Sequence, residues 1–123
     1  MYQLKPVETK SDWNAFIELP WKIYGADPNW VPPLRIAVRD LLDVTKNPFF
    51  KHAFMHPVLA YRNGEVVGRI VGVLDENHNR FHEEKTAFFG FLEMIEDQAL
   101  CDQLMNEVAS WALLWAVFCA GPA

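Results

Sequence analysis

His56-Pro-Val-Leu-Ala-Tyr-Arg62, then Asn63-Gly64, then Glu65-Val-Val-Gly-Arg-Ile-Val-Gly-Val-Leu74 is the stretch that decides the fold. Two β-rich runs flank an Asn-Gly pair. Both central residues of a type I′ turn need positive φ, and these two residue types tolerate it best, so the stretch predicts a β-hairpin. After the polar segment Asp75 to Lys85, Thr86-Ala-Phe-Phe-Gly-Phe-Leu-Glu-Met-Ile95 returns to strand composition and predicts a third antiparallel strand. From Asp97 the apolar residues Leu100, Cys101, Leu104, Met105, Val108, Trp111 and Ala112 form the one-sided stripe of a helix packed on a sheet. Glu96 and Asp97 at its start complement the helix dipole.

Towards the N-terminus, Tyr2 and Leu4 alternate with polar neighbours ahead of Pro6, the pattern of a short strand with its proline at the end or on a sheet edge. Ser11 is placed to cap a helix in which Trp13, Phe16 and Ile17 repeat at helical spacing until Pro20 breaks or kinks the run. Gly25-Ala-Asp-Pro-Asn-Trp-Val-Pro-Pro33 predicts a stiff, extended loop. Leu34 to Asp43 predicts a second helix, with Leu34, Val38, Leu41 and Leu42 on one side and Arg35, Arg39 and Asp40 towards water. Towards the C-terminus, no charged side chain follows Glu107, and Leu113, Leu114, Val117 and Phe118 fill the face that amphipathy would keep polar. Two readings stand: a helix that gives way to a buried strand near Trp115 to Cys119, or an exposed apolar patch that drives association.

A chain of 123 residues has room for one domain, and 51% hydrophobic against 22% charged residues excludes intrinsic disorder. A net charge of −5 repels a phosphate backbone, so no nucleic-acid partner is expected. The first ten residues lack the apolar region of a signal peptide, and no run approaches the ~20 apolar residues that span a bilayer, which points to a cytoplasmic protein without a membrane partner. Cys101 and Cys119 form no C-x-x-C pair and read as core thiols.

Strand, helix, helix, hairpin, third strand, helix is the order of the first half of the acyl-CoA N-acyltransferase (GNAT) superfamily fold. The segments Pro20-Trp21-Lys-Ile-Tyr24, Asp27-Pro-Asn-Trp-Val-Pro-Pro-Leu34, Lys46-Asn-Pro-Phe-Phe-Lys-His-Ala53, Val67-Gly-Arg-Ile70, His78-Asn-Arg-Phe-His82 and Phe88-Phe-Gly-Phe91 resemble those of a group of bacterial GNAT-like proteins. The resemblance implies an α/β (mixed α+β) domain, β-α-α-β-β-β-α, with a mostly antiparallel sheet and helices on both faces. It also implies transfer of an acyl group from acetyl-CoA or another acyl-CoA to an amine. Domains of this kind continue with further strands and a helix, so residues 1–123 are expected to form a single, truncated GNAT-like domain, not competent alone. The alternative is a non-catalytic binding or association module. Under either reading a homo-oligomer, such as a dimer, is expected through an exposed sheet edge or the apolar C-terminal segment.

Typical members hold the pyrophosphate of coenzyme A in a glycine-rich loop before the helix that follows the fourth strand. Here Glu93-Met-Ile-Glu-Asp-Gln-Ala99 has no glycine and three carboxylates, which repel a pyrophosphate. Glu93, late in the last strand, stands where some members carry a general base; if Phe89, Phe91, Glu93 and Ile95 share a face, its carboxylate lies among apolar groups. The plainer reading is a solvated strand-end carboxylate. His78 and His82, four residues apart, are read as lining a substrate cleft or bonding the hairpin; no metal is expected, because in the proteins they resemble the segment is a connection and no Glu stands next to the first His as a metalloprotease needs. Trp21, Tyr24 and Trp30 surround the proline-rich loop and form either an aromatic substrate pocket or a clasp between the two helices. Arg69, inside a strand, needs a carboxylate or carbonyl partner if it faces inward, and Gly68 and Gly72 read as sites of close packing.

Overall fold

The computed structural model describes residues 2–82 and 86–114 and the backbone of 118–122. The elements follow in the order β1 (Gln3–Pro6), α1 (Lys10–Tyr24), α2 (Arg35–Leu42), a 3-10 turn (Pro48–Lys51), β2 (Ala53–Arg62), β3 (Glu65–Asp75), α3 (Glu76–His82), β4 (Thr86–Met94), α4 (Gln98–Leu114) and β5 (Phe118–Pro122). Asn63 and Gly64 take φ of 53° and 80°, so the β2–β3 hairpin closes on the left-handed pair that its turn requires. Strands β1 to β4 form an antiparallel meander, and β5 adds to β4 in parallel. The strand expected near Trp115 to Cys119 begins at Phe118; residues 115–117 lie outside the described set, as do the side chains of 118–122.

Three local expectations change, and one element is added. Thr9, not Ser11, caps α1: Thr9 Oγ1 accepts the Asp12 N–H at 3.0 Å while Asp12 Oδ2 accepts the Thr9 N–H at 3.1 Å. That reciprocal box needs an acceptor three residues after the cap, and Asp12 supplies it. Pro20 does not end the helix, which runs on to Tyr24 with Pro20 buried inside it. The apolar side of α2 is mostly open: Leu42 is buried, but Leu34 and Leu41 are exposed. This helix is tethered to α1 by polar contacts, Arg35 to Glu18 at 2.8 Å and Arg39 to Asn14 at 2.9 Å, rather than by a seam of leucines. Finally, the polar stretch after Asp75 coils into α3, whose first free N–H groups Asp75 Oδ1 accepts from Asn77 and His78.

The sheet is covered on both faces, as expected. On one face, Val7, Phe16, Ile17, Leu42, Leu59, Val71 and Val73 form a buried layer under α1. On the other, Val58, Ala60, Val67, Ile70, Leu100, Leu104 and Val108 form a second layer under α4. Gly68 and Gly72 let α4 approach closely: a Cβ at Gly72 would stand 2.9 Å from the Trp111 ring. Among the described residues no helix is long and apolar enough to cross a membrane.

Two irregularities in the ladder decide which side chains reach which face. Ala60 pairs with Gly68 but Tyr61 pairs with Val66, so Val67 is an extra residue in β3. Arg69 pairs with Glu93 but Val71 pairs with Gly90, so β4 also carries one residue too many. Phe91, within that bulge, takes φ of 56°.

Candidate functional site

Strict alternation along β4 would send Phe89, Phe91 and Glu93 to one face. The bulge prevents this. Phe89 packs in the α4 layer with Leu92, Met94 and Ile95, whereas Phe91 packs in the α1 layer against Phe16. Glu93 follows Phe91 to the α1 side, where its Oε2 accepts the Tyr24 hydroxyl at 2.6 Å. Phe89, Phe91, Glu93 and Ile95 therefore do not share a face: the inserted residue turns Phe91 and Glu93 away from the side of Phe89, and Ile95, past the end of β4 and outside its alternation, packs in the α4 layer.

Around this pair the structure gathers the residues of the proline-rich loop. The Trp30 ring lies 5.8 Å from Tyr24 and 5.5 Å from Trp21, edge-on to the latter, and the Arg35 guanidinium sits 4.0 Å over Trp21. Trp21, Tyr24, Trp30 and Glu93 thus form one continuous patch, an aromatic wall with the Glu93 carboxylate bonded to Tyr24. On its inner side Arg69 is buried, donating from Nε to the Phe91 carbonyl at 3.0 Å and from Nη1 to the Phe16 carbonyl at 2.6 Å. Its inward partners are carbonyls, one of the two alternatives open from sequence.

Electrostatics couple these groups. The Tyr24 phenol is pushed up to about 12, first because its hydroxyl bonds to the Glu93 carboxylate, then by burial and by the Glu93 charge. Burial pushes Arg69 down to about 10, opposed by the charge of Glu93 and by Tyr24. The stabilisation from the Tyr24–Glu93 bond is complete below pH 10, the phenol's ordinary value, and is lost as pH rises to about 12. We expect the urea midpoint of the native protein to fall more between pH 10 and pH 12 than that of Tyr24→Phe; equal falls would refute the coupling.

His78 and His82 do not join this patch. Their rings lie 4.5 Å apart on α3, with His78 4.8 Å from Phe88 at the start of β4, about 15 Å of strand from Glu93. Among the described residues no group of three His, Cys, Asp or Glu could hold a metal. The groove of about 480 Å³ between α1 and α2, floored by Trp13, Ile17, Leu42 and Met55, also lies at the far end of the sheet from Glu93.

The start of α4 offers no free cradle for a coenzyme A pyrophosphate. Asp97 Oδ1 accepts the Ala99 N–H at 3.0 Å, and Asp97 Oδ2 accepts the hydroxyl of Tyr2. The Tyr2 hydroxyl first, then the Ala99 N–H, hold the Asp97 carboxyl below its ordinary range. The helix end is thus capped by the chain's own anion, with Glu96 beside it, and these residues do not fit a pyrophosphate.

Comparison with known proteins identifies the fold. A tandem GNAT protein from the clavulanic acid biosynthesis pathway superposes with a TM-score of 0.69 at 15% identity, over 93% of this chain and 34% of that one. An aminoglycoside acetyltransferase from an uncultured soil metagenomic sample superposes with a TM-score of 0.62 at 12% identity, over 100% of this chain and 76% of that one. The fold is the GNAT fold. Two curated bacterial proteins are similar in sequence. Protein YghO of Escherichia coli (strain K12) is 34% identical over 102 residues, 83% of this chain and 26% of its own length. A bacterial ceramide synthase of Caulobacter vibrioides is 35% identical over 107 residues, 86% of this chain and 28% of its own length. The chain thus spans about a quarter of these relatives. No protein-family model matches the sequence.

The sequence alone singled out Glu93, Trp21, Tyr24 and Trp30, but from separate elements and for separate reasons. The Tyr24–Glu93 bond joins residues 69 apart and has no local signature. The one available signal was Pro20, which leaves the Phe16 carbonyl without its helical donor and so calls for a donor from elsewhere.

Proposed function

We propose that this GNAT domain serves the amine side of an N-acyl transfer reaction, with Glu93 as the proton-accepting group, and that it is not competent for the whole reaction alone. An ammonium has no lone pair to attack an acyl carbonyl until it loses a proton, and a positioned carboxylate takes that proton. The observation that carries the reading is the placement of Glu93: the bulge of β4 delivers the carboxylate to the aromatic patch of Trp21, Tyr24 and Trp30, where it is held by the Tyr24 hydroxyl. An aromatic wall beside an anion suits an amine with a hydrocarbon body, and one of the proteins similar in sequence is named a bacterial ceramide synthase. The acidic start of α4 argues that coenzyme A is not held there by this chain.

Octylammonium is the test ligand. In NMR titrations it is expected to shift the Tyr24 ring and the Glu93 side chain, with the response abolished in Glu93→Gln. Coenzyme A is expected to leave the amides of Ala99 and Leu100 in place. Tight coenzyme A binding at those amides, or no response of Glu93 to the amine, would overturn the reading. The second reading, an association module, is favoured by the exposed Val31, Leu34, Ile36, Leu41 and Val44 around α2 and by Leu113 and Leu114 at the end of α4. Light scattering on the same samples separates the two: a dimer indifferent to the amine would put association in place of acyl transfer.

A further inference from the structure

We propose that Arg69 is a positioning residue for Glu93: its guanidinium ties the Phe16 carbonyl of α1, released by Pro20, to the Phe91 carbonyl at the bulge of β4, and so keeps Glu93 on the Tyr24 side of the sheet. The proposal rests on the reading of Glu93 as the proton-accepting group.

The first observation is the match between proline and arginine. In an uninterrupted α-helix the N–H of residue 20 would bond to the carbonyl of residue 16. Proline has no N–H, and Arg69 Nη1 takes the vacant place at 2.6 Å. Without that donor a buried carbonyl would be left unpaired beneath α1.

The second observation is at the other end of the fork. Arg69 Nε donates at 3.0 Å to the carbonyl of Phe91, the bulge residue at φ 56°. A phenylalanine holds a left-handed backbone only where its surroundings impose it. Here they consist of the guanidinium and the packing of the Phe91 ring in the α1 layer. The guanidinium carbon lies 4.8 Å from the Phe16 ring centre and 5.7 Å from that of Phe91, so the same group fixes both carbonyls and both rings.

The third observation is cost. Arg69 is only 5% exposed, and its two hydrogen bonds are made to backbone carbonyls. A buried guanidinium bonded in this way is expensive as an element of stability alone. What the expense secures is the geometry of the bulge, on which the direction of Glu93 depends. Lysine offers one point charge and cannot span two carbonyls in a fixed fork, so charge and geometry are experimentally separable.

The test reads Tyr24, which reports on Glu93 without any activity measurement. With ¹³Cζ-labelled tyrosine, assigned through Tyr24→Phe, Tyr24 of the native protein is expected to titrate at about 12. In Arg69→Met and in Arg69→Lys the midpoint is expected to fall by roughly one to two pH units towards the ordinary phenol value, as Glu93 swings away. A role through charge alone gives the opposite pattern, because the Arg69 charge lowers the Tyr24 value: Tyr24 would rise in Arg69→Met and stay put in Arg69→Lys, and the proposal would be overturned. If neither variant folds, ¹⁵N NMR of the native guanidinium decides. Resolved, slowly exchanging Nη signals are expected of a fork held at both ends, and one averaged signal would overturn it. A fall of Tyr24 in these variants with no response of Glu93 to octylammonium would uphold Arg69 as the holder of the pair while rejecting the amine reading.

Discussion

Phe16→Ala is expected to lower the unfolding free energy by about 3–5 kcal/mol, the usual loss when a buried phenylalanine is truncated and its site cannot collapse. Phe16 is fully buried, meets Trp13 edge-on at 5.4 Å and Phe91 at 6.4 Å, and presents its ring to the Arg69 guanidinium. Against the ~5–15 kcal/mol that holds a domain of this size together, the loss leaves a barely folded protein. Urea denaturation monitored by far-ultraviolet circular dichroism measures it. Phe16→Leu, which keeps most of the volume, is expected to cost less than about 1.5 kcal/mol. Equal costs for the two variants would show that the aromatic ring, through its contact with Arg69, matters more than the space it fills.

The second large effect lies on the opposite face of the sheet. Leu104→Ala is expected to cost about 2–5 kcal/mol, since Leu104 is fully buried in the layer beneath α4. Gly68→Ala is expected to cost about 1–3 kcal/mol for the converse reason. Its new Cβ would stand 3.2 Å from Leu104 Cδ1, 3.3 Å from Leu100 Cδ2 and 3.3 Å from Met94 Cβ, and the two leucines are enclosed too tightly to retreat. The two changes compensate. With the Leu104 side chain shortened, the methyl group at residue 68 fills part of the cavity, and the double variant is expected to be more stable than additivity predicts by roughly 0.5–3 kcal/mol. Strict additivity in the same urea experiment would show that Gly68 is not the surface on which Leu104 rests.

Much of the fold was legible where structure follows from neighbouring residues. Asn63-Gly64 specified the hairpin because turn chemistry is local, and the two left-handed φ values follow from it. The stripe of Leu100, Leu104, Val108 and Ala112 specified the buried face of α4 because helical period is local. Expectations went astray where a distant group changed the local balance. Pro20 pointed to a break or a kink because its missing hydrogen bond is visible in the sequence, and the break does not occur: the replacement donor, Arg69, is 53 residues from Phe16. The face of Glu93 is undecidable from its own strand for a related reason. Alternation is written in one strand, but register belongs to two, and no pattern within Thr86 to Met94 announces the extra residue opposite Arg69 to Val71.

The sequence by itself determined the hairpin, the flanking strands, α1, α2 and α4, their order, and the residue types available for chemistry. It also determined that the start of α4 is acidic, and with that the poor fit to a pyrophosphate. Only the tertiary structure decided that Tyr24 and Glu93 meet, that His78 and His82 stand apart from them, and that Arg69 bonds to two carbonyls. The physical reason is that helical period, turn propensity and charge are properties of short segments. The reach of one carboxylate across a sheet depends on a bulge between β3 and β4, and that bulge is held by a guanidinium anchored to a third element.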